Sequence, residues 1–281
     1  MNNNLIYDIL YSVHTIIAGV TGSGKSVLLN DVIYTIIRNY HFTECRLILC
    51  DPKRIEFAKY KDLPHVLRYG NDTYSIISAL RYAQEEMDRR YRIAEDDTWD
   101  EPDFTPIYII IDELADVLLN GGKEVKTLLQ AIAQMGRSAN IHLIVATQHP
   151  SRQQFPSFIQ DNFTTKVALH CDTPTQSRQI LGTAGAENLS IGNAIVARVG
   201  RKPYYSHIPM IEKTEIRRVV EMVVNECKLS KPSVKPSKSV SAPVQQTTQA
   251  KVKKAVFAVL DVLKCLALIP VLVIWKMVDE S

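Results

Sequence analysis

Two groups of residues in this chain are suited to chemistry: the run Gly19-Val20-Thr21-Gly22-Ser23-Gly24-Lys25-Ser26 and the pair Asp112-Glu113. The run fits G-x-x-x-x-G-K-[ST] and lies between an apolar stretch, His14–Ala18, and a helical pattern, Gly24–Arg38, the setting such a loop requires. Glycines let backbone N–H groups turn inward around phosphate oxygens with no Cβ in the way, and the helix N-terminus adds partial positive charge. Lys25 sets a full charge against the β- and γ-phosphates of a nucleoside triphosphate, and the Ser26 hydroxyl suits Mg2+, which takes hard oxygen ligands. Asp112 and Glu113 end the apolar run Ile107–Ile111. At the C-terminal end of a parallel strand, Asp112 would hold Mg2+ and Glu113 would polarise the attacking water. Asp also serves there as an ordinary helix cap, but a second acid beside a phosphate loop argues for hydrolysis. ATP with Mg2+ is the expected ligand. No Asn-Lys-x-Asp stands at a strand end to read guanine, and no Ser-Gly-Gly signature suggests an ABC-type ATPase.

Three weaker signals accompany these. Thr147-Gln148 follows the apolar run Ile141–Ala146, where a polar group would sense a γ-phosphate or simply start a loop. Arg137, in Met135-Gly-Arg-Ser-Ala-Asn140, has two readings: it completes its own helix C-terminus, where positive charge is favoured, or it reaches a neighbouring subunit's ATP. Asp51-Pro-Lys53-Arg54 leaves another predicted strand and reads equally well as a surface loop.

The elements that must position these groups alternate. Strands are predicted at His14–Ala18, Arg46–Asp51, Ile107–Ile111, Ile141–Ala146, Lys166–Leu169 and Ala194–Val199. Helices are predicted over Gly24–Arg38, Thr73–Ala94, from the acidic pair to Ser138, and over Thr214–Cys227. In the second of these, Glu85/Arg89 and Glu86/Arg90 stand at i,i+4 and support it. Ile107–Ile111 is apolar without alternation, as in a strand buried on both faces. The expected fold class is α/β, a mostly parallel sheet with helices on both faces and ligands at the strand C-termini.

Charge and composition divide the chain. Residues 228–281 hold nine lysines and three acids, +6, which leaves −3 on residues 1–227 out of a net +3. A body this acidic would bind phosphates through local patches such as a pore lining. The five cysteines are scattered, with no C-x-x-C, which excludes a disulfide framework and fits a reducing compartment; Cys45 and Cys50 read as core. Met1-Asn-Asn-Asn has no basic segment followed by an apolar one, so no signal peptide is expected.

Several segments resemble the motor of the FtsK/SpoIIIE DNA translocases, in that family's order and spacing. They are the phosphate loop, Asp51-Pro-Lys-Arg-Ile-Glu-Phe57, Glu86-Met-Asp-Arg-Arg-Tyr91 and Ile111-Asp-Glu-Leu-Ala-Asp116, then Gly136-Arg-Ser-Ala-Asn-Ile-His142, Ala146-Thr-Gln-His-Pro150, Ser177-Arg-Gln-Ile-Leu181 and Gly185-Ala-Glu-Asn-Leu189. The resemblance implies a RecA-like motor over residues 1–228, a hexameric ring with ATP between subunits, and double-stranded DNA through the pore. It makes Arg137 the finger acting in trans and Gln148 the sensor, and lifts Asp51–Lys53 above a surface loop without defining a role. His149 stands where the family usually has Arg, and Ile191-Gly-Asn-Ala194 departs from the family's Gly-Asp-Met pattern, which leaves the pore-side loop open. The family's N-terminal membrane region and C-terminal winged-helix module have no counterpart in the sequence, so the expectation is a motor for a plasmid, phage or integrative element without sequence-guided polarity. A nucleotide-switched, membrane-tethered scaffold or a coupling ATPase that pumps little DNA is the alternative.

Residues 229–250, rich in Ser, Pro, Lys, Gln and Thr, read as a flexible linker. Residues 251–281 read as a hydrophobic helix. Its uninterrupted apolar part, Cys265–Trp275, is 11 residues, short of the ~20 that span a bilayer, whereas Ala255–Val278 is long enough if its charges are tolerated. Lys251, Lys253 and Lys254 favour anionic headgroups. The expectation is a cytoplasmic motor tethered to the inner face of the membrane, with packing of the helix on protein as the other option.

Overall fold

The computed structural model describes residues 4–96, 103–148 and 156–229. Residues 1–232 belong to one compact unit, and residues 230–281 lie outside the described residues. The expected linker and apolar tail lie outside the described residues, apart from the linker's first residue, Leu229, which ends the last helix. Among the described residues, no helix is long and apolar enough to cross a membrane.

One eight-stranded sheet organises the first unit. Its strands are β1 (His14–Ala18), β2 (Arg46–Cys50), β3 (Val66–Gly70), β4 (Ile107–Ile111), β5 (Ile141–Thr147), β6 (Thr165–Ala168), β7 (Asn193–Arg198) and β8 (Tyr204–His207), in the order β3-β2-β4-β5-β1-β6-β7-β8. Pairing is parallel from β3 through β6 and antiparallel for β6–β7 and β7–β8. The β4 and β1 strands thus flank β5, which brings three predicted site segments onto adjacent strand ends.

Successive residues of the central strands face opposite layers, as the period of two demands. Ile107, Ile109 and Ile111 of β4 join one core, with α3 (Thr73–Asp96) and α4 (Leu114–Met135) and the shorter α5 (Ser157–Asn162) and α6 (Pro174–Leu181). Ile110, with Leu47 and Leu49 of β2, joins the other, with α1 (Asn4–Leu10), α2 (Lys25–Asn39) and α7 (Lys213–Leu229). Burial on both faces explains the unbroken apolar runs of the central strands. Cys50 lies in the first of these cores and Cys45 in the second, both buried as expected.

Two local expectations are corrected. Arg89 pairs with Glu86 at i−3, at 2.7 Å, instead of with Glu85, while Arg90 pairs with Glu86 as predicted. The helix after the acidic pair ends at Met135, short of Ser138, and is interrupted at Gly122, whose φ of 57° and ψ of −143° are not helical.

Candidate active site

The phosphate loop leaves β1 and turns into α2. Gly22 and Gly24 have φ of 80° and 108°, a left-handed region that side chains other than glycine adopt at a cost. Gly19 is required by space: a Cβ there would lie 2.7 Å from Leu169 Cβ. The loop is tied down by backbone bonds from Gly19 N–H to Thr147 O, 3.3 Å, and from Val20 N–H to His170 O, 3.0 Å. Ser23 is buried, and among the described residues its Oγ has no partner.

Lys25 is the first residue of α2 and only 5% exposed. Burial, the larger effect, lowers its pKa; the carboxylates of Glu113 and Asp112 oppose that, and Lys53 adds to it. Among the described residues, no hydrogen bond or ion pair engages its ammonium. A buried cation at a helix N-terminus, above a glycine turn with an orphaned hydroxyl, is a set that a polyphosphate completes. Ser26 follows it, half-buried, and lines a cleft of about 530 Å³ with Asn30, Asp31, Glu56, Met210 and Lys213.

Asp112 and Glu113 stand where β4 ends. The register pairs Ile111 with Val145 and Ala18 with Thr147, so the acids and the start of the phosphate loop come level across β5. Burial pushes the Asp112 carboxyl up to about 6, helped by the charges of Glu56 and Asp51 and opposed by Lys25. A divalent cation beside it would reverse that balance. Glu113 is 1% exposed, and both of its oxygens accept from Gln148 N–H, at 3.2 and 3.1 Å. The Gln148 side chain in turn accepts from Thr21 Oγ1 at 2.7 Å. Phosphate loop, acid and Gln148 are therefore one connected constellation.

The loop Asp51–Arg54 acquires a place that its sequence did not assign. Asp51 is fully buried and accepts from Ile55 N–H and Phe57 N–H, which fixes the loop's path. Lys53 then reaches Glu113 Oε2 at 3.5 Å and Asp116 Oδ2 at 3.8 Å.

Arg137 is separated from this group. It follows α4 at the opposite end of β5, a strand of seven residues, so roughly 20 Å divides it from Gln148 at ~3.3 Å per residue. It is exposed, and among the described residues no side chain pairs with it. His149 lies outside the described residues, and exposed Ile191 and half-buried Gly192 form a turn into β7.

Comparison with known proteins bears on the family and the fold. The FtsK/SpoIIIE family model matches residues 1–104 and 93–152, more than half of the chain. A DNA translocase FtsK of Helicobacter pylori is 34% identical over 239 residues, 79% of this chain and 28% of the relative. One from Staphylococcus aureus is 38% identical over 207 residues, 66% of this chain and 26% of the relative. The chain therefore spans about a quarter of the length of these curated relatives. Among solved structures, EssC ATPases 2 and 3 from Geobacillus thermodenitrificans superpose with a TM-score of 0.67 at 17% identity, over 79% of this chain and 46% of that one. The pCW3 conjugation coupling protein TcpA gives 0.64 at 18%, over 76% and 66%. These two likenesses establish the fold. By its sequence and its sheet, the chain belongs to the FtsK/SpoIIIE family and is a P-loop ATPase in fold.

Proposed function

We propose that this chain is the motor of a DNA translocase, hydrolysing ATP to move double-stranded DNA through an oligomeric ring. The observation that carries the reading is the meeting of Lys25, Asp112, Glu113 and Gln148 at one sheet edge, with each acid on the strand next to Gln148's own. In this reading the loop N–H groups of residues 19–26 and Lys25 bind and orient the β- and γ-phosphates. Mg2+, held through Ser26 and Asp112, would neutralise phosphate charge. Glu113 accepts a proton from the attacking water, and Gln148, bonded to both Glu113 and Thr21, couples the acid to the state of the phosphate loop.

Arg137 lies too far from its own chain's phosphate loop to act there, which supports its reading as a group that completes a neighbour's site in a hexamer. The membership of the family supports DNA as the cargo. The test is the ATPase rate of the full chain with and without long duplex DNA. The reading expects stimulation of about tenfold or more, in line with a ligand that assembles the site. An unstimulated rate would instead favour a nucleotide-switched scaffold.

A further inference from the structure

The segment Glu86–Tyr91 of α3 does not approach the nucleotide site, yet it makes a dense set of contacts with the turn that carries Arg137. Arg90 is 4% exposed. Its Nε donates to Glu86 Oε1 at 2.8 Å, and its Nη1 donates to Ala139 O at 2.7 Å and more weakly to Asn140 O at 3.5 Å. Its guanidinium carbon lies 5.2 Å from the centre of the Phe104 ring. Tyr91, the next residue, donates its hydroxyl to Met135 O at 2.7 Å. Asn140 closes the turn in a left-handed conformation, φ 52°, with its N–H on Arg137 O at 3.1 Å and its side-chain amide on Phe104 O at 2.5 Å.

The backbone on both sides of Arg137 is thus anchored to α3, while the Arg137 side chain is exposed and unpaired among the described residues. A buried ion pair such as Glu86–Arg90 adds little net stability over apolar packing of the same volume. What it does supply is a fixed direction: a planar fork spanning one carboxylate and one carbonyl. A group that must meet a phosphate on another molecule needs a fixed point of departure, because small misplacements of a charge-stabilising group are costly in rate.

We propose that Arg90, aligned by Glu86 and assisted by Tyr91, is a positioning unit for Arg137, holding the turn so that its guanidinium reaches the neighbouring subunit's nucleotide. This rests on the reading of Arg137 as acting in trans. Arg90 and Tyr91 touch no nucleotide in either subunit; they act through the turn.

The test uses full-length chains in mixed assemblies. Arg90→Lys keeps a positive charge beside Glu86 but loses the fork, and Tyr91→Phe removes only the hydroxyl. Both are expected to melt within a few degrees of the wild type and to keep its KM for ATP. Their DNA-stimulated kcat is expected to fall by about tenfold and about threefold, respectively. Each is then mixed with Glu113→Gln chains, which cannot hydrolyse but present an intact Arg137 turn, and turnover is normalised to wild type mixed in the same ratio. Recovery of turnover per variant chain is the expected result, because the repaired turn comes from the neighbour. Arg137→Ala mixed with Glu113→Gln is the control. If the control recovers and the two variants do not, the defect lies in each variant's own site, and the positioning role is wrong while the reading of Arg137 stands. Wild-type turnover in both variants would also overturn the role. If the control fails to recover, the trans reading of Arg137 fails and the positioning role goes with it.

Discussion

Glu113 is held from two sides, by the Gln148 backbone N–H and by Lys53, and the two contacts differ in what a mutation can remove. The Gln148 contact is main-chain and survives any side-chain change there. The Lys53 contact, 3.5 Å long, does not. Because the Lys53 side chain is 39% exposed, its ion pair contributes at most about 1 kcal/mol to folding. We predict that Lys53→Met leaves the urea midpoint nearly unchanged but lowers kcat by about three- to tenfold with little change in KM, since it removes a partner that orients the proton acceptor. Steady-state kinetics beside a denaturation curve separates the two effects. The phosphate loop and the acid pair were legible in the sequence because their chemistry is written in adjacent residues. Lys53 was not, since its partner stands 60 residues away. The contact exists only because β2 and β4 are neighbours, and strand order is absent from local spacing.

At the scale of elements, the β1–β5 pairing carries a pH-sensitive component. His14 opens β1, and its Nδ1 accepts from Leu143 N–H at 2.9 Å, so that nitrogen is unprotonated in the fold. Burial, then the charge of His142, hold its pKa down to about 4 against the opposing Ala133 carbonyl. The unfolded chain protonates the same imidazole near its ordinary value of 6.5. Between these values the unfolded state binds more protons, so stability is full above about 6.5 and declines as pH falls towards about 4. His65 and His142 shift the same way, also led by burial. The expected loss from His14 alone between pH 8 and pH 5 is on the order of 2 kcal/mol, read from urea midpoints, and His14→Gln should flatten that decline. A pH-independent midpoint over this range would refute the prediction. The central strands that give His14 its surroundings were readable as apolar runs. The elements that went unread, α1, β3, α5, α6 and β8, are short or lie at an edge. In β3 the sequence Val66-Leu-Arg-Tyr-Gly70 is half exposed, and β8 is Tyr204-Tyr-Ser-His207, so neither presents the continuous apolar signal of a doubly covered strand.

For the whole molecule, the uneven charge and the location of Arg137 both point beyond a single chain. Residues 1–227 are net acidic and residues 228–281 strongly basic, so nonspecific phosphate affinity should reside in the second part. We predict that the full chain co-floats with vesicles containing anionic lipid, that it does so less as salt is raised, and that a chain ending at Lys228 stays behind. Equal flotation of the two would remove the tether from the account. The exposed guanidinium at the far end of β5 gives each chain two faces, one presenting the phosphate loop and the other an arginine, which fits the head-to-tail ring of the proposed motor.

A single-turnover measurement asks whether the proposed sheet edge both binds and splits ATP. ATP is pre-bound to the wild type, to Lys25→Ala and to Glu113→Gln in the presence of long duplex DNA, with occupancy and cleavage read from the same samples. Weak occupancy is expected in Lys25→Ala. Near-normal occupancy is expected in Glu113→Gln, with cleavage slowed by about a hundredfold or more. Cleavage at the wild-type rate in Glu113→Gln would contradict the proposed function of this edge.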